Sequence, residues 1–322
     1  MHIFRHFRDL PKFPKPAVAT IGNFDGVHRG HRWVIRNVTE RAKMLGFRSS
    51  VITFDPHPTR STRPGTSSPL LTPLEHKLCL LAGTGVDDVV VLPFDGDLAR
   101  MSARQFAHDI LRDALDVREL HEGENFRFGH QAEADIHVLM ALGAELGFTV
   151  TSYPQQSFHG AAISSSRIRS LIAAGDVSAA HRLLERPFSI CGTPASGRGY
   201  GTQYTVPTIN LAPYSELLPR NGVYLSKLKV GTAEGSSIFE AVTNVGNRPT
   251  FGADSFTVES HLLSFHPLEL TESTPLELCF LKRVRDERRW PTPELLLQQI
   301  GRDVAAAHRY FRLLRQVQRP VR

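Results

Sequence analysis

Two histidines follow a glycine-rich turn near the start of the chain, and their type and spacing suit phosphate chemistry. The stretch reads Gly22-Asn-Phe-Asp-Gly-Val-His-Arg-Gly-His31. The apolar run from Ala17 to Ile21 before it predicts a buried strand, and apolar residues at helical spacing follow it. Free N–H groups and the helix dipole make such a strand–turn–helix junction an anion site. Because His28 and His31 stand three apart at the start of a helix, both can point at that anion.

The same residues also fit a plainer interpretation. A lone glycine-bounded turn is common in proteins, and two histidines beside a turn are usually surface or packing residues. This loop alone therefore leaves phosphate chemistry and an ordinary turn about equally open. The choice between them depends on later stretches of the chain.

A proline-flanked histidine follows the next predicted strand. Asp55-Pro-His-Pro58 comes directly after the apolar run from Ser50 to Phe54. In an open parallel sheet, ligands bind outside the carboxyl ends of the strands. We therefore expect His57 to face a ligand, although a simple turn role is the alternative.

Two later loops carry the polar groups that a nucleotide needs. Gly123-Glu-Asn-Phe-Arg-Phe-Gly129 offers the amide of Asn125 and the fixed charge of Arg127. Ile163-Ser-Ser-Ser-Arg-Ile-Arg169 brings serine hydroxyls and two guanidinium groups to a predicted helix start, where they suit a triphosphate. Taken singly, the first also fits an ordinary loop and the second an ordinary helix N-cap.

The order of predicted elements changes part-way along the chain. Strands and helices alternate through the first half, which predicts a doubly wound parallel sheet. One of these helices is expected to begin with the capping box Thr72-Pro-Leu-Glu75. From Phe188 onward, short alternating runs predict an antiparallel barrel or sandwich, followed by a helix from Thr292 to about Leu314. We place the domain boundary after residue 186.

Length and composition limit the class of protein. The 322 residues predict about two domains, and 22% charged with 41% hydrophobic residues is ordinary for a folded protein. The formal net charge of +6 favours anionic ligands without distinguishing nucleic acid from nucleotides. Acidic residues interrupt the basic run Lys282–Arg289, which is typical of a solvated helix face, so we expect no nucleic-acid partner.

Cysteine usage and hydropathy predict a cytoplasmic location. Cys79, Cys191 and Cys279 lie far apart in the sequence and form neither a CxxC pair nor a disulfide framework. The first residues lack the apolar core of a secretory signal, and no stretch approaches the ~20 apolar residues that span a bilayer. We therefore expect no membrane partner, and the sequence leaves a homo-oligomer open.

With these motifs in this order, the chain resembles the bacterial bifunctional riboflavin kinase/FAD synthetases over nearly its whole length. Residues 1–186 are similar to the family's FMN adenylyltransferase (FAD synthetase) module, an α/β Rossmann-like domain of the HxGH nucleotidyltransferase type. The similarity lies in the first loop, in Thr53-Phe-Asp-Pro-His-Pro58 and in the two later loops. Four motifs in the right order are far more specific than any one of them.

Residues 187–322 are similar to the family's riboflavin kinase module, a small antiparallel Greek-key β-barrel with a C-terminal helix. One departure lies in the loop that covers the ATP phosphates in the family. There this chain has Thr202, Thr205 and Val206 instead of a basic residue and Gly-Phe. The matching stretches are Gly197-Arg-Gly199, Pro207-Thr-Ile-Asn210, Asn221-Gly-Val-Tyr224, Asn244-Val-Gly-Asn-Arg-Pro-Thr-Phe-Gly252, Val258-Glu-Ser-His-Leu262 and Leu281-Lys-Arg-Val-Arg-Asp-Glu287.

The resemblance implies two consecutive reactions of flavin cofactor biosynthesis. The kinase module transfers the γ-phosphoryl group of ATP to riboflavin and gives FMN. The adenylyltransferase module then joins FMN to the AMP part of a second ATP and gives FAD and pyrophosphate. Riboflavin, FMN and ATP are therefore the implied substrates, FAD is the final product, and Mg²⁺ is the implied cofactor.

For the kinase step, the resemblance implies that Thr208 and Asn210 hold Mg²⁺ and that Glu259 is the general base. Thr208 and Asn210 stand two apart, so on an extended segment both side chains point to the same side. Without the resemblance, we would interpret this segment as a turn and Glu259 as a surface strand residue. Further implied contacts are Gly197 and Gly199 to ATP and Asn244 to flavin.

For the adenylyl step, the phosphate of FMN is itself the nucleophile. The enzyme must therefore align two phosphates and stabilise the leaving pyrophosphate. We expect His28 and His31 to do this, and the sequence shows no clear Mg²⁺ ligands in this half. The other implied catalytic residues are Asn125 and Arg167; the implied phosphate contacts are Gly22, Phe24, Asp25, Gly26, Ser164, Ser165 and Arg169; and the implied flavin contacts are His57, Asn125 and Arg127.

Two alternative functions stay open. The altered loop from Thr202 to Val206 is compatible with an FAD synthetase whose kinase module is weakened or inactive. A basic chain is also compatible with a non-enzymatic regulator that binds flavin or nucleic acid. A mere binder, however, has no need of all the catalytic residue types found here.

Overall fold

The computed structural model describes residues 1–7, 10–62, 67–195, 208–231, 235–247, 256–264 and 270–317. The chain divides into two units, Met1–Ser165 and Ser166–Arg322. Each unit contains its own main β-sheet. No helix in the described ranges is both long enough and apolar enough to cross a membrane.

The first unit is a parallel sheet with helices between its strands. Strands β1, β4, β3, β2, β5 and β8 form the sheet in that spatial order, whereas β6 with β7 and β9 with β10 form small antiparallel pairs. The strands are β1 (His2–Phe4), β2 (Ala17–Ile21), β3 (Arg48–Asp55), β4 (Asp88–Pro93), β5 (Val117–Gly123), β6 (Arg127–Phe128), β7 (Ala134–Asp135), β8 (Thr149–Tyr153), β9 (Ser157–Phe158) and β10 (Ala161–Ala162). The helices are α1 (Arg29–Leu45), α2 (Pro58–Thr62), α3 (Leu74–Ala82), α4 (Gly96–Arg100), α5 (Ala103–Gln105) continuing as a π-helix (Phe106–Ala114), a 3₁₀ turn (His130–Ala132) and α6 (Ile136–Leu146).

Apolar packing on both faces holds the central strand β2. All five of its residues are buried, as a parallel strand between two helix layers requires. Successive side chains point to opposite faces. Val18 packs with Val38 of α1, whereas Ala19 belongs to the cluster that contains Ile110 of the π-helix. This arrangement confirms the predicted doubly wound sheet.

The strand order places a switch point between β2 and β5. From β2 the sheet extends through β3 and β4 on one side, and through β5 and β8 on the other. Connections therefore leave the carboxyl ends of β2 and β5 in opposite directions and border a crevice, the usual ligand site of such sheets. The histidine loop follows β2, and the Asn125 loop follows β5.

The second unit begins with two helices and continues as an antiparallel sheet. Strands β11, β16, β13, β14, β15 and β12 lie in that spatial order. Pro194 and Leu211, which follow the two edge strands β11 and β12, form an antiparallel bridge and so close the sheet into a barrel. The elements are α7 (Ser165–Ala173), α8 (Val177–Leu184), β11 (Phe188–Gly192), β12 (Thr208–Asn210), β13 (Gly222–Val230), β14 (Ser237–Asn247), β15 (Phe256–Leu262), β16 (Leu276–Arg285) and α9 (Pro293–Val317).

The C-terminal helix α9 packs on the barrel, as predicted. Ala307 and Phe311 of α9 form a buried cluster with Leu225 of β13. The buried carboxylate of Asp303 accepts a hydrogen bond from Arg285 at the end of β16, with an Nη2–Oδ2 distance of 2.7 Å. The predicted barrel with a closing helix is confirmed.

The division between the units falls after Ser165, the first residue of α7, whereas the sequence places the domain boundary after α8. Helix α8 packs against strands of the barrel, and Ser178 Oγ donates to Leu281 O at 3.3 Å. Gly175, between the helices, has a φ of 85°, and a Cβ there would lie 2.8 Å from Arg283 Cδ. These contacts attach both helices to the second unit.

Candidate active sites

The loop after β2 has a strained backbone. Positive φ values occur at Phe24 (48°), Gly26 (83°) and Val27 (37°), and such values are uncommon for residues other than glycine. The loop ends at His28, the N-cap of α1, whose Nδ1 accepts from the backbone N of His31 at 3.3 Å. The predicted strand–turn–helix junction is therefore present.

His28 and His31 form a stacked pair. Their ring centroids lie 3.5 Å apart at an interplanar angle of 15°. The edge of Phe24 meets the ring of His31 at a centroid distance of 5.1 Å. Because His28 Nδ1 accepts a hydrogen bond, the proton of its neutral form lies on Nε2. The structure thus brings together the two histidines that the sequence singled out.

His31 carries a polar atom suited to a ligand. Its Nδ1 is buried, and no described residue forms a hydrogen bond with it. Burial of the ring lowers the pKa of His31 well below its usual value, and the nearby His28 and Lys77 lower it further. His31 is therefore neutral at physiological pH, with hydrogen-bonding capacity left for a ligand.

Asp25 holds the loop to the segment before α3. Its carboxylate accepts from Leu71 N at 3.1 Å and from Thr72 N at 3.0 Å. Gly26 N donates to Thr72 Oγ1 at 3.0 Å. The Asp25 carboxylate and the Gly26 N–H therefore bind protein atoms, and these two residues shape the loop. Their contact with phosphate stays a prediction.

The capping box predicted at Thr72 is wrong. Helix α3 begins at Leu74 with Pro73 as its N-cap, and no side chain caps it. The hydroxyl of Thr72 instead bonds to the first loop, where Gly26 N donates to it and Asp25 Oδ1 accepts from it at 3.3 Å. The Thr72 hydroxyl therefore forms a long-range hydrogen bond to the buried Asp25 carboxylate instead of capping α3.

Small residues allow the loop to pack closely. A Cβ at Gly22 would lie 3.2 Å from the ring of Phe24, and one at Gly30 would lie 3.3 Å from Cε1 of His28. Both distances are tighter than an ordinary van der Waals contact. A side chain at Gly22 would therefore press on Phe24, and one at Gly30 would press on His28.

Lys77 lies beneath the loop, and sequence reasoning missed it. Its Nζ donates to Asn23 O at 3.2 Å, to Thr53 Oγ1 at 3.0 Å and to Phe54 O at 3.3 Å. Burial lowers the pKa of Lys77 to about 8, against the opposing effect of Asp25 and Asp55. The sequence feature that could have revealed Lys77 is a lysine on the mostly apolar face of the predicted helix.

Glu122 is a second missed residue, at the switch point itself. Its Oε1 accepts from Ile21 N at 2.5 Å, so it joins the carboxyl ends of β5 and β2. The side chain is buried, and burial raises the pKa of Glu122 well above its usual value despite hydrogen bonds from Ile21 and Thr20. Groups whose pKa is strongly shifted by burial cluster at functional sites, so Glu122 is a further candidate residue of this edge.

The predicted flavin contacts lie at the carboxyl ends of β3 and β5. Asn125 is exposed, and its Nδ2 donates to Gln155 Oε1 at 3.5 Å. Arg127 is also exposed and donates from Nε to Ala132 O at 3.1 Å. His57 lies in a turn, with Nδ1 2.9 Å from Thr59 Oγ1. All three have polar groups at the expected edge of the sheet, and their roles stay predictions.

The fourth motif spans the division between the units. Ser165 lies in the first unit, and its Oγ donates to the backbone O of Asp25 at 2.8 Å. Arg167 and Arg169 lie on α7 in the second unit. Ser164 is partly buried. Ser165 is therefore attached to the first loop, and the phosphate roles of Ser164 and both arginines stay predictions.

A row of polar residues crosses three strands of the barrel. Glu259 on β15 pairs with Asn210 on β12 and with Asn244 on β14. Residues paired across antiparallel strands point to the same face. Thr208, two residues before Asn210, shares that face and pairs with His261. The structure thus brings together four residues that the sequence assigned to the kinase site and adds His261.

Asn210 has the property expected of a metal ligand. Its Oδ1 is buried and accepts no hydrogen bond from any described residue. An orphaned amide oxygen beside a threonine hydroxyl and a carboxylate suits a hard cation such as Mg²⁺. Gly197, Gly199, Thr202, Thr205 and Val206 lie outside the described residues.

Comparison with known proteins identifies both halves of the chain. A family model described as FAD synthetase matches residues 10–167, and one described as riboflavin kinase matches residues 184–311. The chain is 37% identical over 308 residues to the bifunctional riboflavin kinase/FMN adenylyltransferase of Pseudomonas fluorescens, covering 95% of this chain and 97% of that protein. It is 33% identical to the protein of the same name from Escherichia coli K12, covering 97% and 99%. The chain belongs to the bifunctional riboflavin kinase/FMN adenylyltransferase family.

A solved structure supports the fold of this family member. The crystal structure titled macrolide-efflux protein from Streptococcus pneumoniae matches with a TM-score of 0.82 at 23% identity, covering 95% of this chain and 98% of that one. At this identity the likeness concerns the fold alone. The FAD synthetase match contains the histidine loop and Lys77, and the riboflavin kinase match contains Asn210 and Glu259. The resemblance found from the motifs is confirmed.

Proposed function

We propose that this chain converts riboflavin to FMN and FMN to FAD, using one ATP in each step. The observation that carries this proposal is the presence of two separate polar sites, the His28–His31 pair in the first unit and the Asn210–Glu259–Asn244 row in the second. We assign adenylyl transfer to residues 1–186 and phosphoryl transfer to residues 187–322. Helices α7 and α8 belong structurally to the second unit.

In the kinase step, Glu259 accepts the proton of the riboflavin 5′-hydroxyl as its oxygen attacks the γ-phosphorus of ATP. The new bond joins this oxygen to phosphorus, and the bond to the bridging oxygen breaks to release ADP. Thr208 and Asn210 would hold Mg²⁺, which neutralises phosphate charge when bound. Asn244, in the same row, orients the flavin.

In the adenylyl step, an oxygen of the FMN phosphate attacks the α-phosphorus of ATP, and pyrophosphate leaves. The protein supplies alignment and charge stabilisation rather than a nucleophile. Nε2–H of His28 and the neutral ring of His31 donate hydrogen bonds to the developing negative charge. Phosphates of ATP contact the loop from Gly22 to Gly26, with the side chains of Ser164, Ser165, Arg167 and Arg169. FMN contacts His57, Asn125 and Arg127.

A product assay with separate inputs tests this function. Riboflavin with ATP and Mg²⁺ is expected to yield FMN and then FAD, whereas FMN under the same conditions yields FAD and pyrophosphate. Conversion of FMN without any conversion of riboflavin would support the FAD-synthetase alternative. Binding of flavin without turnover of either input would support a regulator. Membership of an enzyme family with both modules favours neither alternative.

We further propose that the enzyme acts in the cytoplasm with neither a nucleic-acid nor a membrane partner. All three cysteines are free thiols, as a reducing compartment requires. Burial raises the pKa of Cys279 to about 12, so this thiol is not a reactive thiolate. The substrates of both steps are small molecules.

A further inference from the structure

Lys77 joins two structural elements at the nucleotide loop. Its acceptor Asn23 O belongs to the loop after β2, whereas Thr53 and Phe54 lie at the end of β3. Thr53 Oγ1 in turn lies 3.3 Å from Asn23 O, to which it donates. The Lys77 residue is only 6% exposed. One buried ammonium therefore fixes the loop against its neighbouring strand.

A second buried cation, at the opposite end of β3, shows how such a charge is normally balanced. Arg48 begins this strand, and its Nη1 donates to Asp88 Oδ2 at 2.8 Å. Its guanidinium also lies 3.5 Å from the ring centroid of Phe13. Buried charges are costly unless they are paired. Arg48 is paired within the protein and lies away from the nucleotide edge.

The positive charge of Lys77 is not balanced by a carboxylate in this way. Its hydrogen-bond acceptors are all uncharged, and among the described residues no carboxylate forms a salt bridge with it. Asp25 and Asp55 favour its charged form only from a greater distance. The carboxylate of Asp25 is itself bonded to Leu71 and Thr72. A bound anion would supply the missing countercharge.

The charged and polar groups around Lys77 cluster at the candidate nucleotide site. Asp25 on the loop and Asp55 at the end of β3 act on it, and Lys77 with His28 acts on His31. The buried Nδ1 of His31, which forms a hydrogen bond with none of the described residues, marks a ligand position in this group. The positive charge of Lys77 therefore lies beside an unfilled polar site rather than in a self-contained ion pair.

We propose that Lys77 is a positioning residue of the adenylyl-transfer site, which holds the loop at Asn23 and whose charge is balanced by the triphosphate of ATP. This inference rests on the proposed adenylyltransferase function. Lys77 acts on the nucleotide through the loop and through its electric field. Its charge, and not only its hydrogen bonds, is then required for ATP to be held.

Two substitutions separate charge from volume. Lys77→Met keeps the length of the side chain without the ammonium, and it is expected to lower kcat/KM for ATP in FMN adenylylation by roughly 100-fold. Lys77→Arg keeps the charge and is expected to lose less than about tenfold. Riboflavin phosphorylation by the same samples, a reaction of the second unit, is expected to stay unchanged, and thermal unfolding of each variant shows whether its first unit is folded.

Arg48→Met is the matched control. It removes a buried cation from the other end of the same strand and takes the Arg48 ion pair from the buried Asp88. Its thermal unfolding midpoint is therefore expected to fall, while kcat/KM for ATP stays at the wild-type value. An equal loss of adenylylation in Arg48→Met and Lys77→Met would show a purely structural role and overturn the proposal.

The pH profile gives a readout that a structural role would not change. Because the pKa of Lys77 is about 8, wild-type kcat/KM for ATP falls as the pH rises above that value. Lys77→Arg is expected to move this fall to higher pH, because arginine keeps its proton. An unshifted fall in Lys77→Arg overturns the proposal even if Lys77→Met does not fold.

The outcomes distinguish a failure of the proposed adenylyltransferase function from a failure of the proposed role of Lys77. If the wild-type enzyme makes no FAD from FMN, the proposed function fails whatever Lys77 does. If the wild-type enzyme makes FAD and folded Lys77→Met stays within about threefold of its kcat/KM, only the role of Lys77 fails.

Discussion

Ser165 donates a hydrogen bond from Oγ to the backbone carbonyl of Asp25, 2.8 Å away, and so joins the fourth sequence motif to the first. Asp25 lies in the loop that leads to His28, and its own carboxylate is bonded to Leu71 and Thr72. Two attachments therefore hold the loop at Asp25. Ser165 binds its backbone carbonyl, and Leu71 and Thr72 bind its buried carboxylate.

Replacing Ser165 should loosen this attachment. A hydrogen bond contributes about 1 kcal/mol, so Ser165→Ala is expected to lower kcat/KM for ATP in FMN adenylylation by roughly fivefold. Initial rates over a range of ATP concentrations measure the effect. Ser170→Ala is the control, since the Ser170 hydroxyl only bonds to Ser166 O within the same helix. Equal rates for both variants would show that the Ser165 bond is without consequence.

Asn210 should determine the Mg²⁺ requirement of the kinase step. Its buried Oδ1 accepts no hydrogen bond from the described residues, so Asn210→Ala removes a candidate ligand without breaking a visible bond of this atom. The Mg²⁺ concentration for half-maximal FMN formation is expected to rise by about tenfold or more. FAD formation from FMN is the internal control. An unchanged Mg²⁺ titration would exclude Asn210 as a ligand.

Glu122 should make stability fall as the pH rises. Its pKa is raised well above the usual value in the folded protein, so the folded state holds a proton that the unfolded state has lost. Its stabilising effect is complete below the unfolded pKa of about 4.5 and is lost as the pH rises through the folded pKa. Glu122→Gln removes this dependence, so its unfolding midpoint should exceed that of the wild type increasingly as the pH rises from about 4.5 toward the folded pKa of Glu122.

Thermal unfolding of both proteins across this pH range measures the difference. Glu40→Gln, which changes an exposed glutamate on α1, is the control and should follow the wild type. A constant difference between Glu122→Gln and the wild type would mean that Glu122 has no raised pKa.

Strong local patterns made much of the fold predictable. The bounds of β2 match the predicted strand from Ala17 to Ile21, because this run is apolar throughout and a glycine-rich turn follows it. The pairing of Asn210 with Glu259 is different. It depends on the barrel register, which only the family resemblance could anticipate.

The buried polar groups were not predictable in the same way. Thr72 matched a helix-cap pattern, yet its hydroxyl bonds to Gly26 in a distant loop. Lys77 and Glu122 are residue types that are usually exposed, and only the packed sheet shows that they are buried. Burial and long-range pairing arise from tertiary structure, so a local pattern carries little information about them.

The most direct test of the two-site account is a product assay on His28→Ala/His31→Ala supplied with riboflavin, ATP and Mg²⁺. The double variant is expected to form FMN at the wild-type rate and to convert it to FAD at least about 100-fold more slowly. Glu259→Gln should show the reverse, with little FMN made from riboflavin but normal conversion of supplied FMN to FAD. Wild-type FAD formation by the histidine double variant would contradict the account.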